Sequence, residues 1–254
     1  MLLQHLYSLS DPALEEMLYD RISFRRFCGL SLKSKIPDET TICRFRGALS
    51  GHVDKLMRVV MEDLAKQGIE VKSGAIVDAS VIQSSVKPPR GGEVSKHDSE
   101  AGWTKKGGHY HYGYKAHVSC DTQGLVKDVV VTGADVHDGQ VLGQLLDGSE
   151  ESVYADKAYG SKANRQLLTD HGMKDCLMYK RKAYQSKQPG WQIQLNKIWG
   201  KTRCTVERVF AHWKTILNVT RCRYVGVNKV QDHMTFLALT YNLMRATKLK
   251  TACP

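Results

Sequence analysis

Three acidic residues stand where a carboxylate needs a reason. Asp78 lies in the middle of Ala75-Ile-Val-Asp78-Ala-Ser-Val-Ile82, a nearly continuous apolar run. Burying its charge there costs several kcal/mol unless a cation or donors meet it. Asp156 ends a second run, Ser152–Asp156, just before a turn and a helix. Open α/β sheets place their ligands at such strand ends. Glu207 lies within Arg203-Cys-Thr-Val-Glu207-Arg-Val-Phe-Ala-His-Trp-Lys214. There Val206, Val209, Phe210, Trp213 and Leu217 recur in steps of three and four, one face of an amphipathic helix. Arg203, Glu207 and Lys214 form a polar stripe along the edge of that face. The stripe admits two readings. One is an i,i+4 ion pair on a solvated face, worth about 0.2–0.5 kcal/mol. The other is a metal-binding glutamate between phosphate-binding cations. Either aspartate alone reads as well as a cap or a buried hydrogen bond. Together with Glu207 they make three hard oxygen ligands, which suit Mg²⁺ or Mn²⁺ rather than zinc. Two such ions about 4 Å apart suit in-line displacement at phosphorus.

The charge distribution points to a polyanion. Net charge is +11 over 254 residues, and the pI is about 9.3. From Lys174 to Arg223 there are twelve Lys or Arg against only Asp175 and Glu207. This block surrounds the polar stripe, so double-stranded DNA is the expected partner. Seven cysteines without CxxC spacing read as reduced thiols of a cytoplasmic protein. No stretch approaches 18 apolar residues, so no membrane partner is expected. His109 and His111 share a strand face but lack a third nitrogen or sulfur ligand at a supporting spacing. Trp103, Trp191 and Trp199 border basic or flexible segments, where packing is the default reading and stacking on bases the alternative.

The elements that must position these residues follow in order. Residues 1–72 read as a helical N-terminal domain for DNA binding, and residues 73–254 as an α/β catalytic domain. Asp11 is read as an N-cap with Pro12 at the first helical position, and Gly29 as the end of that helix. A second helix from about 37 carries Arg44 and Arg46. A third runs from Val53 to Lys66 with Leu56, Val59, Val60 and Leu64 inside. The opening Met1-Leu-Leu-Gln-His-Leu enters mid-pattern with no cap, which predicts a truncated domain start. After the Asp78 strand, residues 84–109 are rich in Ser, Pro, Gly and Lys and read as a mobile loop. Tyr112–Cys120 and Leu125–Thr132 form a hairpin. A helix is expected after His137-Asp138, with His137 as a cap. Next come the Asp156 strand, a helix at 161–171, a strand at 176–179, and a basic loop or insertion at 180–200. The Glu207 helix and an apolar helix over 230–249 close the chain.

These motifs resemble the DDE transposases of bacterial insertion sequences, of the insertion-sequence-four and -five type. Arg203-x₃-Glu207-x₆-Lys214 matches the motif around the last acidic residue. Ile76-Val-Asp78-Ala-Ser is similar to the first aspartate motif, and Ala155-Asp156-Lys-Ala-Tyr159-Gly160-Ser to the second. Gly113-Tyr-Lys115-Ala-His117-Val and Ala134-Asp-Val-His137-Asp138 are similar to the linking segments. Leu9-Ser-Asp-Pro-Ala-Leu-Glu-Glu and Ile36-Pro-Asp-Glu-Thr-Thr resemble the N-terminal helical domain. The sequence departs at Gly200, where the related motif often has a tyrosine, and in its short N-terminus.

The resemblance implies a ribonuclease-H-like mixed-sheet domain in which Asp78, Asp156 and Glu207 are catalytic and hold two Mg²⁺ or Mn²⁺ ions. It implies DNA contacts from Arg203 and Lys214, and with them Arg208, Lys157, Lys115, Arg44 and Arg46. The chemistry implied is water attack at inverted-repeat ends, then attack of the freed 3′-hydroxyl on target DNA, by a homo-oligomer on DNA. Two rivals remain: a metal-dependent nuclease without strand transfer, and a shortened, non-catalytic end binder.

Overall fold

The computed structural model describes residues 1–90, 92–181 and 186–252. Its centre is a six-stranded mixed sheet. The apolar run around Asp78 forms β1 (Gly74–Gln83), the middle of that sheet. On one side β1 pairs antiparallel with β3 (His109–Cys120). β2 (Gly102–Lys106) and β4 (Val126–Gly133) share the far edge of β3, end to end. On its other side β1 pairs parallel with β5 (Ser152–Ala155), which pairs parallel with β6 (Lys174–Leu177). An antiparallel half joined through one buried strand to a parallel half is the ribonuclease-H-like arrangement that the resemblance implies.

Strand alternation divides the core in two. Ile76 and Ile82 of β1, with Tyr114, Ala116 and Val118 of β3, face a helical layer. That layer is built from α5 (Val53–Lys66), α7 (Gly190–Thr215) and α8 (Val227–Ala252). Ala75 and Val77 face the opposite side, against Val153, Leu142 and Leu168. Leu168 belongs to α6 (Lys162–Asp170), which Ser161 caps by accepting from the Asn164 amide. The N-terminal helices are α1 (Leu2–Tyr7), α2 (Asp11–Asp20), α3 (Ile22–Phe27) and α4 (Glu39–Leu49). They build a small core from Leu3, Leu14, Leu18, Phe24, Ile36 and Ile42.

Several sequence expectations change, each for a local reason. Ser10, not Asp11, caps α2 and accepts from the Ala13 amide. The helix breaks at Arg21, whose backbone is extended, well before Gly29. In α5 it is Met57 that is buried, while Val59 is 60% exposed, because the inward face runs 53, 57, 64. The segment 84–109 is tied down rather than loose. Buried Asp98 accepts from the Ser84 and Tyr114 hydroxyls, and the segment ends in β2. No α-helix follows His137. Gly139 and Gly143 interrupt that run, and two 3₁₀ turns (Asp138–Gln140, Leu142–Gln144) still bury Val141, Leu142 and Leu145. β6 lies two residues earlier than expected. The basic segment 180–200 is half helix, since α7 starts at Gly190; Trp199 stacks on Tyr179 at 5.7 Å and extends the packed helix upstream. Residues 182–185 of that segment, with Lys182, lie outside the described residues.

Gly113 marks where β3 leaves β1 and continues with β2 alone. A Cβ there would sit 2.2 Å from the Ile82 carbonyl oxygen and 2.6 Å from the Ser84 nitrogen. Both neighbours are backbone, so neither yields without moving a strand. We expect Gly113→Ala to destabilise the fold by about 1–3 kcal/mol, the usual range for overpacking. The denaturation midpoint measures it, and an unchanged midpoint would show that the strands part freely.

Candidate active site

Asp78 and Ile76 are two residues apart on β1, so both point to the side of α7. Buried Val206, Val209 and Trp213 fix α7 against the sheet, which turns Arg203 and Glu207 toward the same space. Arg203 closes the gap. One guanidinium nitrogen donates to Asp78 Oδ2 at 2.8 Å, and the other donates to Glu207 Oε1. The Asp78 and Arg203 side chains are only 21% and 19% exposed, whereas that of Glu207 is 50% exposed. Asp156 arrives by register. Val77 pairs with Ala155 at the end of the parallel ladder, so Asp156 follows directly beyond it, beside the continuing strand that carries Asp78. Asp156 then opens a 3₁₀ turn, Lys157–Tyr159.

Electrostatics tie the three carboxylates together. Burial pushes the Asp78 pKa up, against the Ala79 amide and the Arg203 charge; Asp156 pushes it further up, and Lys106 opposes. Burial also works against the Arg203 cation, but Asp78, Glu207 and Asp156 together outweigh it and raise its pKa. One guanidinium therefore pairs with Asp78 and Glu207, and the Asp156 charge also favours it. Among the described residues, no three His, Cys, Asp or Glu side chains gather closely enough to hold a metal ion. The space between Asp78 and Glu207 is filled by Arg203. The donor set is nonetheless all carboxylate oxygen, the ligand type that fits hard divalent ions.

A family model described as Transposase DDE domain matches residues 70–243, and a second, described as Transposase domain, matches residues 1–48. The chain belongs to the transposase DDE domain family. No helix among the described residues of this transposase is long and apolar enough to cross a membrane.

The other expected DNA contacts divide into free and engaged cations. Lys157 and Arg44 are exposed. Arg208 is exposed too, but it leans to α8, donating to Thr205 and sharing a groove with His212, Arg245 and Lys248. Lys214 is half-buried, and burial first, then Lys106, lowers its pKa. Lys115 is engaged: its amine lies 2.9 Å from Asp138 and donates to the Val136 carbonyl at 2.8 Å. Arg46 is engaged as well, pairing with Asp11 and lying 5.4 Å over the Tyr224 ring. These two cations hold the fold together in this arrangement. So do Arg221 and Arg223 of the basic block, whose guanidinium groups donate to the carbonyls of Ser84 and Ser85 and of Leu9 and Ser8.

Sequence reasoning missed residues that only pairing brings close. Lys106, read as part of a loop, acts electrostatically on both Asp78 and Lys214. Tyr159 is fully buried with its hydroxyl unpartnered among the described residues; burial, then Asp138, Asp78 and Asp156, raise its pKa. His137 does cap, accepting from the Gly139 amide, but on a 3₁₀ turn. Trp103 donates to the Glu93 carbonyl at 3.0 Å, Trp199 packs, and Trp191 is 55% exposed.

The raised Asp78 pKa gives a signed stability prediction. A carboxyl whose folded pKa exceeds its unfolded value binds its proton more tightly when folded. Its contribution is fully present below the unfolded value of 3.8 and is lost as pH rises through the raised folded pKa. Asp78→Asn should therefore melt above wild type at neutral pH, with the gain vanishing as pH falls below 3.8. Thermal melts across pH measure this. A neutral-pH loss of stability would mean that the Arg203 pair outweighs the burial of the charge.

Proposed function

We propose that this transposase cuts DNA strands at the inverted-repeat ends of its element and joins the freed 3′-hydroxyl to target DNA. The observation that carries this reading is the single guanidinium of Arg203 between Asp78 and Glu207, with the Asp156 charge acting on both Asp78 and Arg203. Two acids, from a central strand and a packed helix, share one cation, and a third at a strand end acts on both partners of the Asp78 pair. Few structural roles require that. A fold-stabilising ion pair needs one acid, and the desolvation of Asp78 makes this one a poor source of stability.

Asp78, Asp156 and Glu207 would hold two divalent ions, Mg²⁺ or Mn²⁺. Such a pair would supply an activated attacking oxygen and a neutralised leaving oxygen. The side chains of the protein do the rest. Arg203 exchanges its carboxylate partners for a non-bridging phosphate oxygen, keeping a planar two-nitrogen contact in both states. Lys214, two helical turns beyond Glu207, holds the adjacent backbone phosphate. Rigid packing of α7 through Val206, Val209 and Trp213 keeps the two cations at fixed spacing from β1. Positioning and charge neutralisation are what phosphoryl transfer asks of a protein, and no covalent enzyme intermediate is needed. Assembly as a homo-oligomer on DNA, with two ends held together, belongs to the same proposal.

The test is cleavage of a short duplex carrying the element's own end, with and without Mg²⁺, followed by joining to a plasmid. Asp78→Asn, Asp156→Asn and Glu207→Gln should each reduce metal-dependent cutting to background while binding of the same duplex survives. Arg203→Ala and Lys214→Ala should cut partially, with weakened binding. Equal cutting by wild type and all three acidic variants would sink the catalytic reading. Cutting without joining would leave a nuclease.

A further inference from the structure

We propose that the β2–β3 hairpin is a DNA-contacting finger, with Lys106 at its tip holding a backbone phosphate of the strand that enters the Asp78 site. This rests on the reading of that site as one that cuts DNA. The hairpin is regular. Residues Gly102 to Lys106 pair rung by rung with Gly113 to His109, leaving only Gly107 and Gly108 in the turn. Their φ values of 58° and 86° are those of a two-residue turn that demands glycine. Beyond Gly113, β3 pairs with neither β1 nor β4, so residues 103–112 project past the main sheet.

A projecting hairpin is marginal unless its root is held. Here the root is fixed. Trp103 donates to the Glu93 carbonyl at 3.0 Å and lies 5.2 Å from the Tyr112 ring. The Tyr112 hydroxyl donates to the Asp98 carbonyl at 2.7 Å. The tip, by contrast, is cationic and open. Lys105 lies 5.2 Å over the ring of Tyr110, which is 69% exposed, and Lys106 is exposed. Among the described residues neither lysine is ion-paired.

The tip also acts on the site. The Lys106 charge reaches Asp78 on β1 and Lys214 on α7. Lys106 and Lys214 thus feel one another's charge beside the carboxylates. Two amines brought near one another repel. A phosphate lying between them removes that repulsion and releases counterions. Scattered surface lysines that serve solubility have no reason to approach one another from a hairpin and a helix. Tyr110 adds an exposed ring on which a base can stack.

The experiment measures binding of a duplex bearing the element's end by fluorescence anisotropy across a salt series. Lys106→Ala should reduce the log–log salt slope by about 0.9, the value of one phosphate contact. Lys106→Arg should restore it. A neutral methylphosphonate walked along each strand should weaken wild type at one position near the cleaved bond and leave Lys106→Ala unaffected there. If wild type and Lys106→Ala share the same slope and the same methylphosphonate profile, the finger is wrong, even where both cut normally. If the slope and profile change as stated while wild type fails to cut with metal, the finger stands and the catalytic reading falls instead. Binding by wild type without salt dependence overturns the finger outright.

Discussion

A carboxylate inside a β-sheet is the constraint around which this transposase is arranged. Asp78 cannot be left alone among Ile76, Val77 and the apolar face of β3. Its charge needs a partner, and the partner must come from outside the sheet. The α7 helix supplies Arg203 and presents Glu207 from the next turn. The need to bring that helix down onto β1 explains its long apolar stripe, and the stripe explains why Trp199, Val206, Val209 and Trp213 are buried.

The same constraint makes the resting site self-consistent. Arg203 satisfies two acids and feels a third, so part of the negative charge at that point is offset within the protein itself. Net positive charge elsewhere is unbalanced, at +11 over the chain. An acidic site inside a cationic surround leaves the attraction of a polyanion to that surround. Arg46 and Lys115 show the opposite use of basic residues, where a cation locked to Asp11 or Asp138 fastens one element to another.

The two faces of the sheet carry different duties. Toward α7 and α8 the packing is broad and aromatic, and it holds the acids in place. Toward α6 the layer is thinner, built from 3₁₀ turns and short apolar contacts. Asn164 there donates to the carbonyls of both Gly139 and Tyr159 and fastens the turn that begins at Asp156. The position of the second aspartate thus depends on an amide that contributes nothing to the chemistry itself.

The sequence by itself determined the local elements and the chemical types at the site. The apolar run around Asp78, the stripe at 206–217 and the helix at 161–171 are short-range patterns, and short-range periodicity survives into the fold. It also fixed that three acids and several cations would matter, since a carboxylate in an apolar run demands an explanation wherever the run ends up. Tertiary structure decided the rest. Which rung of β1 meets which rung of β5 sets Asp156 beside Asp78, and register is a long-range quantity that no window of residues contains. Whether Arg203 faces an acid or the solvent, and whether Arg46 and Lys115 are free or engaged, depends on which remote side chain arrives. The strand Gly102–Lys106 hid in a segment of loop-like composition, because a strand at a sheet edge is made by its partner rather than by its own propensity. Lys106 stands at the hairpin turn because two glycines bend the chain there, and a third lets β3 diverge from β1, a geometry that composition cannot express.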